Sequence, residues 1–264
     1  GAFELAASLD HIGPMTRSAA DAGAMLAVIA GADPRDPTAS TLPVPDYLAT
    51  MTRGLAGLRV GIDPAWTLDR VDAPTRATLA GAIRTVESLG ASVREVVFPD
   101  TAQAVLDWSP LCAVETAVAH EATYPSRRDE YGPGLSGLID LGLSQSATDY
   151  QKLLLRRADF TGRVRTFFEE VDLLLIPAIP FAAPTLERAG QLGVDPELLA
   201  GMLRYTCPFD LTGSPTLTLP GGATEAGVPV AFQFVAPHFG EDLLVRAGWA
   251  FQRATDWHRR HPAV

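Results

Sequence analysis

Cysteine is nearly absent from this chain of 264 residues, which carries only Cys112 and Cys207. The two lie far apart and form no C-x-x-C pair, so the sequence offers neither a disulfide framework nor the ligand spacing of a zinc site. We expect both to be buried thiols. Because free thiols favour a reducing compartment, we also expect a cytoplasmic protein.

Long hydrophobic runs and clustered basic charge are lacking as well. The apolar run at residues 172–177 has the length of a strand and ends at a proline, so neither a membrane span nor a membrane partner is expected. Lysine occurs once, at Lys152, and the net charge is −10. The basic residues are scattered along the chain, so nucleic acid is not an expected partner either.

The chain also lacks an initiator methionine and a recognisable secretory signal. It begins Gly1-Ala-Phe-Glu and continues through a stretch that has the composition of an extended, turn-rich segment. We therefore expect the 264 residues to be part of a longer polypeptide.

Hydrophobic periodicity and capping signals predict alternating helices and strands. Ser18 and Asp21 have the spacing of a helix N-terminus, and Asp72 with Pro74 predicts another. Strands are expected at residues 58–62, 92–97, 173–176, 216–219 and 230–235. Helices are expected at residues 73–89, 101–122 with a kink or interruption at Pro110, 147–171 and 241–258, and a glycine-rich loop at 131–137. The predicted class is α/β, with a mixed, largely parallel sheet flanked by helices on both faces.

No catalytic constellation can be found within the chain. The nearest approach to the G-x-S-x-G elbow is Gly134-Leu-Ser-Gly137, in which the second glycine comes one position too early. The five histidines do not cluster, and no phosphate-binding loop occurs. Asp107 or Glu115 could act as a general acid or base only if buried beside a substrate, and we expect both on a solvated face instead. Lys152 is expected to reach solvent rather than act as a base. No metal and no cofactor are expected.

Four segments together resemble the C-terminal part of the amidase signature family. They are SLDHIGPMTR at residues 8–17, DLLLIP at 172–177, TCPFDLTGSP at 206–215 and FQFVAPHFGED at 232–242. The ending ATDWH at residues 254–258 is similar to that of the family as well. The resemblance extends over essentially the whole chain, and the first segment is the most specific.

The resemblance implies a mixed sheet covered by helices and amide hydrolysis through an acyl-enzyme. In this family the catalytic unit is a serine nucleophile, a bridging serine in a cis peptide and a lysine base, with backbone N–H groups binding the oxyanion. These motifs precede the SLD segment in the family. None of the three catalytic residues has a counterpart here, so we expect this chain alone to be inactive and residues 1–264 to be the C-terminal portion of one amidase-like α/β/α domain.

The resemblance also implies that this chain forms one wall of the substrate pocket. The expected wall residues lie in the variable middle region and in the CPFD segment: Trp108, Leu111, Cys112, Leu135, Phe209 and Asp210. Leu135 belongs to residues 132–142, which we expect to be a loop. Each apolar side chain could instead serve only core packing. The Asp210 carboxylate needs partners if it is buried, and it could simply accept hydrogen bonds in the turn at residues 211–213.

Three hypotheses about function follow. The first is that the chain is part of a hydrolase that cleaves the C–N bond of a small neutral amide, ester or carbamate through an acyl-serine intermediate. The substrate would carry an aryl or acyl group. The second is a subunit of a glutamine-dependent amidotransferase. The third is a non-catalytic binding or regulatory fragment, which would leave strand edges and apolar surface exposed. The expected partners are the small-molecule substrate and the missing N-terminal half, and the sequence leaves a homodimer open.

Overall fold

The structure is a computed structural model that describes residues 2–36 and 38–261. Within these ranges the chain forms five strands, β1 to β5: Arg59–Ile62, Ser92–Glu95, Leu173–Pro177, Thr216–Ala223 and Pro229–Val235. It forms eleven α-helices, α1 to α11: Ala19–Ile29, Pro64–Thr67, Ala73–Ser88, Ala102–Ala119, Tyr124–Arg127, Pro133–Leu143, Ala147–Phe167, Leu186–Ala189, Pro196–Leu203, Cys207–Thr212 and Glu241–Ala254.

The described residues separate into two compact units, each built from three segments of the chain. We call the first the helical unit; it takes its residues from Gly1–Ile12, Phe98–Phe167 and Pro184–Gly213, and it contains α4 to α10. We call the second the sheet unit; it takes its residues from Gly13–Val97, Phe168–Ala183 and Ser214–Val264. The sheet unit contains all five strands together with α1, α2, α3 and α11.

The sheet is mixed and has the strand order β2-β1-β3-β5-β4. Strand β1 runs parallel to β2 and to β3, whereas β5 runs antiparallel to β3 and to β4. The predicted α/β class with a mixed sheet is therefore confirmed. The expectation that the sheet is largely parallel is wrong, because two of its four pairings are parallel and two are antiparallel. The expected β1–α3–β2 crossover unit is present as well, and Arg59 lies opposite Ser92 in its register.

Helices α3 and α11 contribute to the same hydrophobic core as the central strands. Phe232 and Phe234 are fully buried on β5, and the ring of Phe232 packs edge-on against Phe251 of α11 at 4.8 Å between centroids. Leu79 of α3 and Leu175 of β3 belong to the same cluster. Burial of these large side chains is the main source of stability of the sheet unit.

The helix starts follow the capping signals in the sequence. The Ser18 side chain accepts a hydrogen bond from the N–H of Asp21 at 3.0 Å, which confirms the predicted start of α1. The Asp72 carboxylate accepts from the N–H of Thr75 at 2.8 Å at the start of α3, and it also accepts from the N–H of Ala182 at 2.7 Å. One carboxylate thus caps a helix and fixes the loop that follows β3.

In the helical unit, α4 is a continuous helix of 18 residues with Pro110 in its interior. The predicted interruption at Pro110 is therefore wrong. Proline cannot donate a backbone hydrogen bond, so the carbonyl group of Leu106, one turn earlier, loses its usual partner. Leu106 is 68% exposed, and water can solvate that carbonyl group.

The predicted glycine-rich loop is also wrong, because the segment forms helix α6. Pro133 occupies the first turn, where its missing N–H costs nothing. Gly142 lies directly against α4: a Cβ atom placed there would be 2.0 Å from the carbonyl oxygen of Ala113. This glycine therefore permits a close helix–helix contact. Gly134 and Gly137 have no neighbouring atoms within 4 Å of such a Cβ position.

None of the described helices is both long enough and apolar enough to cross a membrane.

Candidate substrate-facing site

The carboxylate of Asp210 is the centre of a polar cluster in the helical unit. Asp210 lies on α10, and its Oδ2 accepts a hydrogen bond from the indole Nε1 of Trp108 on α4 at 2.6 Å. Its Oδ1 lies 3.1 Å from Nδ1 of His11. The expectation that Asp210 could simply accept hydrogen bonds in the turn at residues 211–213 is therefore wrong. Its partners come from two distant segments of the chain, and its side chain is 25% exposed.

The geometry determines which ring nitrogen of His11 carries a proton. Nδ1 lies 2.6 Å from the carbonyl oxygen of Leu9 as well as near Asp210, and both neighbours are acceptors. Nδ1 must therefore be protonated, and Nε2 is the nitrogen that titrates. The hydrogen bond to Asp210 raises the pKa of His11 above its ordinary value, although partial burial opposes that effect.

Residues 5–11, which we call the Ser8 segment, are held by two further side chains. The N–H and Oγ of Ser8 both donate to the carboxylate of Glu115 on α4, at 2.7 and 2.6 Å. Arg157 of α7 donates from Nη2 to the carbonyl oxygen of Ser8 at 2.8 Å and from Nε to that of Leu211 at 2.7 Å. One guanidinium thus joins the Ser8 segment to the end of α10, as its fork of fixed donors allows.

Asp10 stabilises the Ser8 segment through hydrogen bonds inside that segment. Its carboxylate accepts hydrogen bonds from the N–H groups of Leu5 and Ala6, at 2.7 and 3.3 Å. The SLD motif therefore has a structural explanation: Ser8 binds α4, and Asp10 closes a local turn. Glu115, expected on a solvated face, is partly buried and binds this motif.

Asp107 does not lie on a solvated face, so the prediction for this residue is wrong. Its side chain is 10% exposed and accepts two hydrogen bonds from Arg156 of α7, at 2.5 and 2.8 Å. Gln103 donates a third hydrogen bond at 2.8 Å. The carboxylate raises the pKa of the Arg156 guanidinium. Asp107 and Arg156 thus neutralise each other and join α4 to α7.

Three of the expected wall residues are buried within the helical unit. Leu111 and Cys112 on α4 and Phe209 on α10 are all buried, with exposures of 1%, 1% and 3%. Burial raises the pKa of both thiols, that of Cys207 to about 12, so the thiolate form is strongly disfavoured. The prediction that both cysteines are buried and free is confirmed.

Leu135 lies in a different cluster from the other expected wall residues. On α6 it packs, together with Tyr131, against a buried group of Ala117, Tyr124 and Ile139. The structure therefore brings Trp108 and Asp210 into direct contact and places Leu135 elsewhere in the helical unit. His11 was not among the site residues predicted from the sequence, although it belongs to the SLDH motif and lies next to Asp210.

The described residues contain neither a buried lysine that could act as a base nor a site that could bind a metal ion. Lys152 is 58% exposed and pairs with Asp149 at 3.2 Å, so it reaches solvent as predicted. Across residues 2–36 and 38–261, no three His, Cys, Asp or Glu side chains are grouped so that they could hold a metal ion.

The profile of the Amidase family matches residues 1–245. The chain belongs to the amidase signature family. It is 47% identical over 264 residues to the putative amidase AmiD of Mycobacterium tuberculosis (strain ATCC 25618 / H37Rv), covering 100% of this chain and 55% of AmiD. It is also 33% identical over 270 residues to an amidase of Pseudomonas putida, covering 100% of this chain and 57% of that amidase.

A further relative belongs to an amidotransferase. It is a glutamyl-tRNA(Gln) amidotransferase subunit of Geobacter sp. (strain M21), and it is 32% identical to this chain over 286 residues. The match covers 98% of this chain and 58% of that relative.

A solved structure shares the fold of this chain. It is described as a vestigial protein complex that reveals the evolutionary origins of an s-triazine catabolic enzyme, and it superposes with a TM-score of 0.84 at 25% identity. The match covers 96% of this chain and 55% of that one. This amidase-family chain thus spans about half the length of the relatives it matches.

The cluster allows a direct test of the His11–Asp210 contact. We expect the Asp210→Asn variant to lower the pKa of His11 toward its ordinary value of 6.5, because the carboxylate that favours the imidazolium is lost. An NMR titration of the histidine ring protons measures this change. Asp159→Asn, which alters an exposed carboxylate paired with Arg163, serves as the control and should leave His11 unchanged.

The same pair gives a pH dependence of stability with a definite sign. The folded-state pKa of His11 is raised, so the pair stabilises the fold fully below about pH 6.5, the unfolded value. Its contribution disappears as the pH rises through the folded-state pKa. The difference in unfolding free energy between the native protein and Asp210→Asn should therefore shrink above that pH. A difference that grows with pH would contradict the assignment.

Proposed function

We propose that this chain supplies the scaffold and one wall of the substrate pocket of an amidase-type hydrolase. The complete enzyme would cleave the C–N bond of a small neutral amide, ester or carbamate through an acyl-serine intermediate. Family membership over residues 1–245 is the observation that carries this proposal. On this view, residues 1–264 form the C-terminal portion of one α/β/α domain that a further N-terminal half completes.

The wall is proposed to be formed by Trp108, Leu111, Cys112, Leu135, Phe209 and Asp210. Trp108 is half-buried, and its only polar atom is already bound to Asp210, so the indole ring can offer apolar surface to a substrate. The buried Leu111, Cys112 and Phe209 would support that surface from behind. Leu135 lies in a separate cluster, which makes it the weakest member of the set.

The charges around the Trp108–Asp210 contact favour a neutral substrate. Arg156 is bound to Asp107, and Arg157 is bound to backbone carbonyl groups. Neither guanidinium is therefore available to bind a substrate carboxylate without losing its present partners. The engaged guanidinium groups favour an aryl or acyl group in the pocket rather than an acidic one.

The catalytic residues are proposed to lie on the N-terminal half. A lysine base must be desolvated to work near neutral pH, and Lys152, the sole lysine, is exposed and paired with Asp149. Ser8, the serine within the cluster, is bound to Glu115 through both its N–H and its Oγ. The nucleophile, the bridging serine and the lysine base would thus all come from outside these 264 residues.

A serine-directed fluorophosphonate probe tests whether the serine nucleophile lies outside this chain. We expect no labelling of this chain alone. We expect labelling of the added half when the chain is co-expressed with the portion of AmiD that this chain does not match. Peptide mapping by mass spectrometry locates the label, and heat-denatured protein controls for non-specific reaction. A label on any serine of this chain would contradict the proposal.

A glutamine-dependent amidotransferase component is the second candidate, because one of the relatives is a glutamyl-tRNA(Gln) amidotransferase subunit. The two candidates differ in substrate. An amidase prefers a neutral aryl or acyl amide, whereas an amidotransferase component draws ammonia from glutamine. Initial rates on glutamine and on an anilide, measured on the reconstituted protein, separate them.

We also propose a cytoplasmic site of action, which the two free, buried thiols support.

A further inference from the structure

His11 has one ring nitrogen that is bound within the protein and one that is not. Nδ1 lies 2.6 Å from the carbonyl oxygen of Leu9 and 3.1 Å from Oδ1 of Asp210. Nε2 has no hydrogen-bond partner among residues 2–36 and 38–261. Two acceptors beside Nδ1 fix the tautomer and the direction of the ring, and the side chain is 59% exposed. Nε2 is therefore available to bind a ligand.

The carboxylate that orients His11 is itself held by a third residue. Oδ2 of Asp210 accepts the hydrogen bond of the Trp108 indole at 2.6 Å, which leaves Oδ1 for the imidazole. An imidazole that a carboxylate orients through one nitrogen presents its other nitrogen in a fixed direction, and enzymes use this arrangement for histidines that contact a substrate. A histidine that only joined α10 to the Ser8 segment would need Nδ1 alone, and Nε2 would have no role.

The charges around His11 favour a hydrogen-bond donor at Nε2. The hydrogen bond to Asp210 of α10 raises the pKa of the ring, while partial burial and the guanidinium of Arg157 on α7 oppose that effect. The protonated ring and the ionised carboxylate together carry no net charge. Such a pair suits an uncharged acceptor oxygen, whereas Asp210 would repel a substrate carboxylate. The polarity of the site thus agrees with the neutral substrate proposed above.

We propose that His11 is a specificity-determining residue, whose Nε2–H donates a hydrogen bond to an oxygen atom on the aryl or acyl group of a neutral amide. This inference rests on the proposed function, since it names a substrate feature that the pocket wall recognises. The two oxygens of one carboxylate bind Trp108 and His11, so apolar surface and a hydrogen-bond donor lie side by side. A substrate group that packs against the indole can therefore bring an ether, carbonyl or hydroxyl oxygen to Nε2.

Matched anilides test the proposal on the full 264-residue chain, co-expressed with the part of AmiD that it does not match. Methoxy- and ethyl-substituted acetanilides differ only by an ether oxygen in place of a methylene group, and each is tested with the substituent in the ortho, meta and para positions. We expect the methoxy compound to have at least about 10-fold higher kcat/KM in one position at about pH 6, because only it accepts from Nε2–H. The preference should disappear as the pH rises and Nε2 loses its proton.

Two substitutions separate the roles of the two ring nitrogens of His11. His11→Asn keeps an N–H donor near the place of Nδ1 and removes Nε2. We expect it to fold, to associate with the AmiD portion, and to prefer neither anilide by more than about 2-fold. His11→Gln places an amide N–H near the position of Nε2, so it should restore part of the preference and make it independent of pH. Circular dichroism and size-exclusion chromatography check folding and association.

Nitrogen NMR of isotope-labelled histidine gives a measurement that does not need turnover. We expect the methoxy compound, and not the ethyl one, to shift the Nε2 resonance of His11, which is assigned by its absence from His11→Asn. If the two portions do not associate, the shift is measured on the chain alone, which contains His11, Asp210 and Trp108, and its absence there overturns the inference.

Each outcome decides between this inference and the proposed hydrolase. Equal turnover of both anilides at every pH overturns the role of His11 and leaves the hydrolase intact. A selective shift of Nε2 in a complex that hydrolyses neither compound and is not labelled by the fluorophosphonate probe supports the role of His11 and rejects the hydrolase. A complex that shows neither turnover nor a shift overturns both. An undiminished methoxy preference in His11→Asn also overturns the role of His11, because another group then recognises the oxygen.

Discussion

The Gly142→Ala variant is expected to lower the free energy of unfolding by about 3 kcal/mol, because a single methyl group meets the backbone of α4. The added Cβ would lie 2.0 Å from the carbonyl oxygen and 2.5 Å from the carbonyl carbon of Ala113. A flexible side chain could move aside, but a helix backbone cannot do so without shifting the whole helix. Helices α4 and α6 would have to separate. Urea denaturation monitored by circular dichroism measures the loss.

Gly137 provides a matched control on the same helix. A Cβ at Gly137 meets no atom within 4 Å, so Gly137→Ala brings only the better helix propensity of alanine. We expect that variant to be up to about 1 kcal/mol more stable than the native chain. Equal effects at positions 137 and 142 would show that α6 does not pack on α4 as closely as described. The comparison also tests whether the glycine-rich sequence is a helix at all.

Truncation of Phe232 is expected to have the largest effect in the sheet unit. Phe232→Ala should lower the free energy of unfolding by about 4 kcal/mol, because it removes a fully buried ring and leaves a cavity. The ring packs edge-on against Phe234 at 5.3 Å and against Phe251 at 4.8 Å, so one substitution breaks contacts with β5 and α11 together. Thermal and urea unfolding both report the change.

Phe239 is the control for the loss of a phenyl ring as such. It is 60% exposed, and we expect Phe239→Ala to change stability by no more than about 0.5 kcal/mol. A loss at Phe239 as large as that at Phe232 would mean that the buried cluster does not dominate the stability of the sheet unit.

Much of the sheet unit could be predicted from sequence because its signals are local. Ser18 and Asp72 mark helix starts, because each side chain binds an N–H only three residues further along the chain. A strand, a helix and a strand in succession predict a parallel pair of strands. Such patterns depend on neighbouring residues alone. The α/β class and the mixed sheet followed from them.

The helical unit was predicted less well because its decisive contacts are long-range. Gly142 looked like a loop glycine, and only the contact with Ala113 explains why a glycine is needed inside a helix. Asp107 looked solvated because its partner Arg156 lies 49 residues away. The Asp210 cluster joins residues up to 199 positions apart, and no local pattern encodes such a pairing. Only the resemblance to the amidase signature family pointed to Asp210.

This separation in sequence has a consequence for synthesis on the ribosome. His11 leaves the ribosome 199 residues before its partner Asp210, and Ser8 waits for Glu115 and Arg157. At ordinary translation rates the Ser8 segment spends roughly 10 to 40 seconds without its final partners. The helical unit cannot finish folding until its third segment emerges, so its nascent chain is exposed to chaperones and proteases for that time.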